Sequence, residues 1–545
     1  MKRYLSHIIK SSEKRVGYFI ENQILDSHRL DYGGLPLHLI DVKPTVYTLS
    51  NAIAVYLNED SKYYHDELLY NRVLMALDFI KRNQRHDGTF DFPSCNFMSA
   101  PDTAFCLKRL IASYELLLKY GGTKEADTLA KYFLAIIKPA IVGTMNGGFH
   151  TPNHRWAISA ALLQCSNLFK DDVSFSTALK SRANQYFAEG IDSNEDGEYA
   201  EKSTGGYNAV VNTAFISCYE ETNDPRFIEY VRKNLQMMLS YIEPDDTIFT
   251  ENSKRQDKGN KQYADNYFYH FLYLADLLNI SEFDSAAHKL IKDNLERNGE
   301  APDCLHIFML HEHLKEYEFK NYGFLDTYHK YYETSGVVRV KKEKFTYTLL
   351  KDTSKFLFLQ VGSTPIYMKI GVSYCSTRTF QPQVIEENNN AYTLTYKADG
   401  WYYLPFENYE GTSDWWKMDH SKRELLNNTH LELKTTIIER EDGLDIKISS
   451  SGYDRIPVRV ELCIPEQSIV ENNHFYLKAQ AGQGMILREG DVRIHHEGQT
   501  IEVGSGFGTH EFLGHYSGEE KNELGYTLFF NEYTNLDKTI SLNIK

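Results

Sequence analysis

The chain is expected to fold as an N-terminal (α/α)6 toroid followed by a C-terminal antiparallel β-sandwich. Three observations lead there. Hydrophobic periodicity is helical through roughly the first 315 residues; one type of turn recurs every fifty to sixty residues within that stretch; and the periodicity switches to that of strands beyond it. At 545 residues the chain is also longer than one hydrophobic core usually serves, so at least two domains are expected, 1–320 and 321–545.

Taken in order, the helical half contains twelve segments, near 3–24, 44–57, 62–84, 102–120, 124–143, 154–169, 173–190, 206–221, 225–242, 264–279, 281–296 and 302–315. Apolar sets such as Leu68, Val73, Leu77 and Ile80, or Leu107, Leu110, Ile111 and Leu117, fall on one helical face in windows too long for strands. Alternate connections carry a turn followed by an aromatic: Asp87-Gly88-Thr89-Phe90, Asn146-Gly147-Gly148-Phe149, Asp196-Gly197-Glu198-Tyr199 and Asp246-Thr247-Ile248-Phe249. Each precedes a helix start, at Pro101-Asp102, Pro152-Asn153, Gly206-Tyr207 and Ala264-Asp265, with Pro44-Thr45 and Pro302-Asp303 as outer members. Six hairpins of this kind make a toroid whose inner helices all begin at one rim. Asp102, Asp265 and Asp303 read as N-caps at those starts, a role a tyrosine such as Tyr207 cannot fill.

Past residue 318, runs such as Val337-Val338-Arg339-Val340, Leu431 to Ile438 and Val458 to Leu462 alternate or are β-branched, with turn residues between them. More than ten strands and almost no helix indicate a large sandwich. The domain boundary is expected between 316 and 334.

Composition excludes several function classes. A formal net charge of −16 repels nucleic acid and anionic membranes. The basic run Lys254 to Lys261 reads as a solvated loop or, less simply, a contact for a polyanion. Seven scattered cysteines, odd in number and without a CxxC pair, form neither a disulfide framework nor a zinc pattern. With no signal-like N-terminus and no uninterrupted apolar span, a cytoplasmic protein is expected, with no membrane partner and an open oligomeric state, a homodimer being one option. Aromatics reach 13%, a level that either codon bias or a sugar-binding cleft explains.

Two Gly-rich loops at helix starts carry the chemistry. The first holds His150, Asn153, His154, Arg155 and Trp156; the second holds Tyr199, Glu201 and Tyr207. Asn153 and His154 can donate to an anionic or carbonyl oxygen, Arg155 can pair with a carboxylate, and Tyr207 can exchange a proton. Pro152 between His150 and His154 argues against a zinc pair on one helical face, so neither metal nor cofactor is expected. A donor that masks a carboxylate beside a phenol that moves protons is what β-elimination of a uronic acid needs, because the C5 proton is scarcely acidic until that charge is masked.

These residues resemble the heparinase II/III-like and alginate-lyase-like polysaccharide lyases. The likeness rests on Asn153-His154, on the run Asp196-Gly197-Glu198-Tyr199-Ala200-Glu201-Lys202-Ser203 to Tyr207, which is similar to that family's D-G-x-[FY]-x-E-x-S-x-x-Y, and on the fifty or so residues between them. It implies a toroid joined to a β-sandwich, an acidic oligo- or polysaccharide as substrate, Asn153 and His154 neutralising the carboxylate, Tyr207 as acid and base, and a functional histidine near the sandwich, for which His420 is the candidate. The chain departs from the pattern at Arg155, Trp156 and Asn208. Arg155, His150, Trp156, Asp102, Glu251 and Tyr199 are the expected substrate contacts. Two alternatives stay open: a glycoside hydrolase using a carboxylate pair drawn from Asp102, Glu201, Glu251 and Asp265, and a non-catalytic carbohydrate-binding protein.

Overall fold

The computed structural model describes residues 1–320, 323–513 and 519–545. Two compact units result: Met1–Ile242 with Asp246–Leu325, and Asp326–Lys545 with the short segment Glu243–Asp245. The break expected after residue 320 falls at 321–322, which lie outside the described residues.

The first unit holds twelve helices: α1 (Lys2–Asn22), α2 (Val42–Tyr56), α3 (Glu67–Arg82), α4 (Ala100–Tyr120), α5 (Lys124–Asn146), α6 (Pro152–Leu168), α7 (Val173–Ala188), α8 (Tyr207–Thr222), α9 (Pro225–Met238), α10 (Phe268–Leu278), α11 (Ser281–Glu296) and α12 (Leu305–Leu310). They start where the side-chain chemistry requires: Asp41, Asp66, Ser99, Thr123, Asp172 and Asp224 each accept a backbone N–H in the first turn of the helix that follows. The aspartates expected to cap do not. Ser99 caps α4, leaving Asp102 inside the first turn, while α10 and α12 begin without a side-chain cap. The last helix is shorter than its apolar pattern implies, ending at Leu310 before a 3-10 turn over Glu312–Glu316. A small hairpin, Phe90–Phe92 with Asn96–Ser99, interrupts the α3–α4 connection, where no strand was expected.

The repeated turn explains why the hairpins form a ring. Each connection from an odd-numbered helix to the even-numbered helix after it lies against the next odd-numbered helix. Gly33 sits on Met75 of α3, Gly88 on Pro139 of α5, and Gly197 on Lys233 of α9. Phe149 meets Tyr186 of α7 edge-on at 5.7 Å, and Lys289 of α11 bonds Asp246 at 2.5 Å. The sixth connection returns to the start, with His7 of α1 bonding the Gly299 carbonyl at 2.9 Å and Lys14 pairing with Glu300. Gly88 and Gly197 are obligatory: φ is +90° and +91°, and a Cβ would lie 2.0 Å from the Pro139 carbonyl oxygen and 2.5 Å from the Lys233 carbonyl carbon. All six even-numbered helices line one cavity of 320 Å³, their first turns at one end, so they form the inner ring of the toroid.

α5 is long and apolar enough to cross a membrane by length and composition, against the expectation that no such stretch exists. Its apolar stripe, Leu129, Phe133, Ile136, Ile137, Ala140 and Ile141, is buried within this unit.

The second unit is built from two nine-stranded sheets. One centres on Thr364–Tyr374 and Pro457–Pro465, the other on Leu425–Arg440 and Gly443–Gly452. Alternation sets the core: Leu431, Leu433 and Ile437 from one strand, Leu444, Ile446 and Ile448 from its partner, and Val458, Val460, Leu462 and Ile464 from the opposite sheet are all buried in one cluster. Pairing is antiparallel except at one edge, where Gly484–Ile486 runs parallel to Gly525–Tyr533.

Candidate active site

The site is assembled at the rim where α4, α6 and α8 begin. Each fixed position of the second motif has a physical job there. Gly197 supplies the turn just described, and the Tyr199 hydroxyl, buried, donates to Asn212 Oδ1 at 2.8 Å. Glu201 Oε2 accepts from the Asn153 backbone N–H at 3.1 Å and from its Nδ2 at 2.7 Å. Ser203 Oγ accepts the Tyr207 N–H at 2.9 Å, in place of the cap that Gly206 lacks. The motif is thus a scaffold that ties the start of α8 to the start of α6.

A second loop closes on this scaffold through Asp257, which is buried. Its carboxylate accepts from Ser203 Oγ at 3.0 Å, Ser253 Oγ at 2.6 Å and the Gly205 N–H at 2.9 Å. At Gly205 a Cβ would lie 2.6 Å from Gln262 Oε1 and 3.1 Å from Asp257 Oδ2, so a side chain there would displace Gln262 and crowd the anchoring carboxylate. The loop so anchored presents Arg255, whose Nε lies 3.5 Å from Glu201 Oε1 and whose guanidinium carbon stands 5.2 Å from the centre of the Tyr207 ring. Gln256 Oε1 is 3.4 Å from the Tyr207 hydroxyl. Asn153, Glu201, Arg255 and Tyr207 therefore form one continuous chain of contacts. Burial raises the Glu201 carboxyl above the usual glutamate range, against the bonds from Asn153 and the charge of Arg255.

On the other side of the rim, Lys43 bonds Asp102 Oδ1 at 2.9 Å, Ser99 Oγ donates to Asp102 Oδ2 at 2.6 Å, and the Lys43 ammonium lies 4.7 Å from the centre of the Phe105 ring. Phe105 meets the His154 ring edge-on at 5.7 Å, and His150, exposed, stands 6.1 Å from His154 between ring centroids. Burial lowers the His154 pKa to about 4; Asp102 opposes this, while His150, Lys43 and Arg255 add to it. His154 is therefore a neutral imidazole at pH 7, flanked by Lys43 on one side and Arg255 on the other.

Several expected contacts lie elsewhere. Trp156 is 1% exposed, stacked on Phe187 and packed on Phe215, and belongs to the core. Arg155 donates to the Tyr186 and Gly190 carbonyls and fastens α6 to the end of α7. Tyr199 is spent on Asn212, so none of these three faces the rim. Asn153 is 0% exposed, with its amide hydrogens directed to Glu201 and Thr151. It holds Glu201, where direct contact with a carboxylate substrate was expected. Glu251 is half-buried on the loop that carries Arg255. Asp265 is paired with Arg297 and Asn294. His420 lies in the second unit, its Nε2 3.0 Å from the Trp415 carbonyl oxygen and its ring against the Trp415 indole. Sequence reasoning missed Lys43, Arg255 and Gln256 as individual site residues; the last two sit in the basic run Lys254 to Lys261, which was the available signal.

Known proteins bear on the fold. No family model matches the chain, and no curated protein does. Among solved structures, it is similar to a xanthan lyase of Paenibacillus (10% identity, TM-score 0.60, 99% of this chain and 57% of that one). It is similar also to the chondroitin AC lyase of Streptomyces coelicolor A3 (11%, 0.58, 100% and 80%) and to the heparan sulfate lyase HepC of Pedobacter heparinus (11%, 0.55, 98% and 82%). The chain thus spans little more than half of the xanthan lyase and about four fifths of the other two. It has the fold of polysaccharide lyases, a helical toroid followed by antiparallel sheets.

Proposed function

We propose that the protein cleaves uronic-acid-containing oligo- or polysaccharides by β-elimination. The observation that carries this reading is the placing of a single phenol, Tyr207, beneath the Arg255 guanidinium and next to the Asn153–Glu201 pair at the mouth of the toroid. A uronate whose carboxylate meets Arg255 has its charge masked, so the carbanion that forms at C5 does not stand beside a second full negative charge. Neutral His154, across the rim beside Phe105, offers a further N–H. Tyr207, as phenolate, takes the C5 proton; the C4–O4 bond breaks as the C4=C5 double bond forms, and the same tyrosine returns a proton to the leaving O4 oxygen. Glu201, held by Asn153, positions Arg255. Relatives of the same fold add support, being a xanthan lyase, a chondroitin AC lyase and a heparan sulfate lyase.

The carboxylate-pair alternative draws no comparable support. Of its four candidate carboxylates, Asp102 is tied to Lys43, Asp265 to Arg297 and Glu201 to Asn153, so three are committed to partners on the protein, and Glu251 is half-buried on the loop that carries Arg255. A purely binding protein has no use for a phenol set against a guanidinium. We assign the protein to the cytoplasm on its seven free thiols, five of them buried, and cell fractionation would test that address.

Incubation with a panel of uronic-acid oligosaccharides, followed by near-ultraviolet absorbance, tests the reaction. Elimination creates a conjugated double bond, so absorbance rises; hydrolysis produces no rise. Retained activity in Tyr207→Phe together with its loss in Glu201→Gln would overturn the mechanism and restore the hydrolase.

A further inference from the structure

The lumen beneath the rim holds a charge that the mechanism above does not use. The 320 Å³ cavity extends inward from Gly206 and Phe105, and its wall includes Lys108 on α4, six residues past Asp102 and so about 9 Å deeper along the helix. Space exists there because the inner helices turn alanines toward the axis, Ala104 on α4, Ala157, Ala160 and Ala161 on α6, and Ala209 and Ala214 on α8. That volume lies at the small end of ligand pockets, about 300–1,000 Å³. Tyr47, Phe105 and Tyr269 offer ring faces, and Gln164 and Thr213 offer polar groups.

The other charges around this cavity cancel. Arg109 pairs with Asp303 at 3.2 Å and lies over the Tyr47 ring at 4.8 Å; Asp265 pairs with Arg297. His270 and His306 are neutral, their pKa values pushed down to about 3 chiefly by burial. Among the described residues none forms an ion pair or hydrogen bond with the Lys108 ammonium. Burial and the neighbouring Arg109 lower its pKa to about 7, while Glu220 and Asp303 act the other way. Glu220, bonded to His311 at 3.2 Å, is itself raised by burial to about 7. Lys108 is half-buried on the cavity wall, and an ammonium there without a protein partner is available to pair with an anion that enters.

We infer that Lys108 anchors an anionic substituent, a carboxylate or a sulfate ester, of a sugar unit that enters the toroid beyond the bond being cleaved. This inference rests on the lyase reading for the identity of the ligand, and its placement makes the lumen a pocket for a chain end. The site discriminates by charge: a neutral sugar of the same shape leaves the ammonium without a partner.

Binding of monosaccharides tests this apart from catalysis, because they have no glycosidic bond to eliminate. Calorimetry is run with glucuronate, glucose 6-sulfate and glucose on the wild type, Lys108→Met, Lys108→Arg and Glu220→Gln. At pH 6 the wild type should bind glucuronate, glucose 6-sulfate or both at least tenfold more tightly than glucose, and Lys108→Met should lose that preference. Which of the two anions binds tells carboxylate from sulfate recognition. Above pH 7 the wild-type preference should fall by up to tenfold per pH unit, persist in Lys108→Arg, and still fall in Glu220→Gln, which removes the second group titrating in that window. Lys108→Met should fold with an unchanged circular dichroism spectrum, since among the described residues Lys108 makes no ion pair or hydrogen bond to lose. Equal binding of glucuronate and glucose by the wild type, or an unchanged preference in Lys108→Met, overturns the inference. Anion binding that depends on Lys108 without any absorbance change on oligosaccharides would leave the anchor standing and remove the elimination; an absorbance rise with undiminished anion preference in Lys108→Met would do the reverse.

Discussion

The rim and the lumen of the toroid are built from the same six helices but to opposite rules. At the rim almost every polar group is committed: Asn153 to Glu201, Ser203 to Tyr207 and Asp257, Asp102 to Lys43 and Ser99. Deeper, the protonation states are the reverse of those in water. Imidazoles are neutral well below their usual pKa, and burial lifts the carboxyls of Glu115 and Glu220 to about 7. The difference is one of pairing. The rim fixes geometry with buried groups that satisfy one another, whereas the deeper parts of the inner helices hold ionisable groups whose charged forms burial disfavours.

The largest test of that contrast is Tyr207→Phe. It should lower turnover on a uronic-acid oligosaccharide by about 10²–10⁴-fold with an unchanged circular dichroism spectrum, because the hydroxyl acts on substrate and holds nothing in place. Asp257→Ala strikes the other kind of rim residue. It leaves two hydroxyls and a backbone N–H without their acceptor, so about 2–3 kcal/mol of stability should be lost in denaturant unfolding, along with activity, as the Arg255 loop detaches.

Smaller and purely steric is Gly197→Ala, at about 1–3 kcal/mol, for the strained φ and the clash with Lys233. Glu115→Gln probes the far end of α4 by pH. The folded-state carboxyl near 7 lies above the unfolded 4.5, so the wild type holds its full contribution below about pH 4.5 and loses it as pH rises through 7. The variant should therefore match the wild type at pH 4.5 and be more stable by about 1–3 kcal/mol at pH 8. The imidazoles carry the opposite sign. His270 and His306 protonate in the unfolded chain near 6.5 but resist it when folded, so they cost stability as pH falls from 6.5 toward 3; His270→Gln should flatten that limb of a melting-temperature profile.

Much of this architecture was legible in the residues because it repeats. A turn recurring every fifty residues marks a hairpin, and the apolar stripes of α4 and α5 need no tertiary information to be read as helices. The motif from Asp196 to Tyr207 was legible for the same reason, since Gly197, Tyr199, Glu201, Ser203 and Tyr207 make contacts within their own hairpin or with a neighbouring one. What failed were judgements about direction. Arg155 and Trp156 follow Asn153 and His154 directly, yet on a helix consecutive residues point about 100° apart, and these two face the outer helices. Arg255 was hidden because its loop is held in place by Asp257, through bonds to Ser203 and Gly205 some fifty residues upstream. Lys108 carried no signal at all, for nothing local tells a lysine facing a lumen from one facing water.

The seam of the ring has one more consequence. Five of the six joints link a connection to the helix that follows it closely in the chain, whereas the sixth joins His7 to Gly299, 292 positions apart. The first five are short-range and can form one after another, as in a linear array of repeats; the last must wait for both ends and carries the full entropy of closing the loop. The toroid is in effect a clasped bracelet, and the clasp formed by His7, Lys14 and Arg15 with the 299–301 segment is where it should first come undone. Under native-state hydrogen exchange, α1 and α12 are expected to open together before α5 to α8.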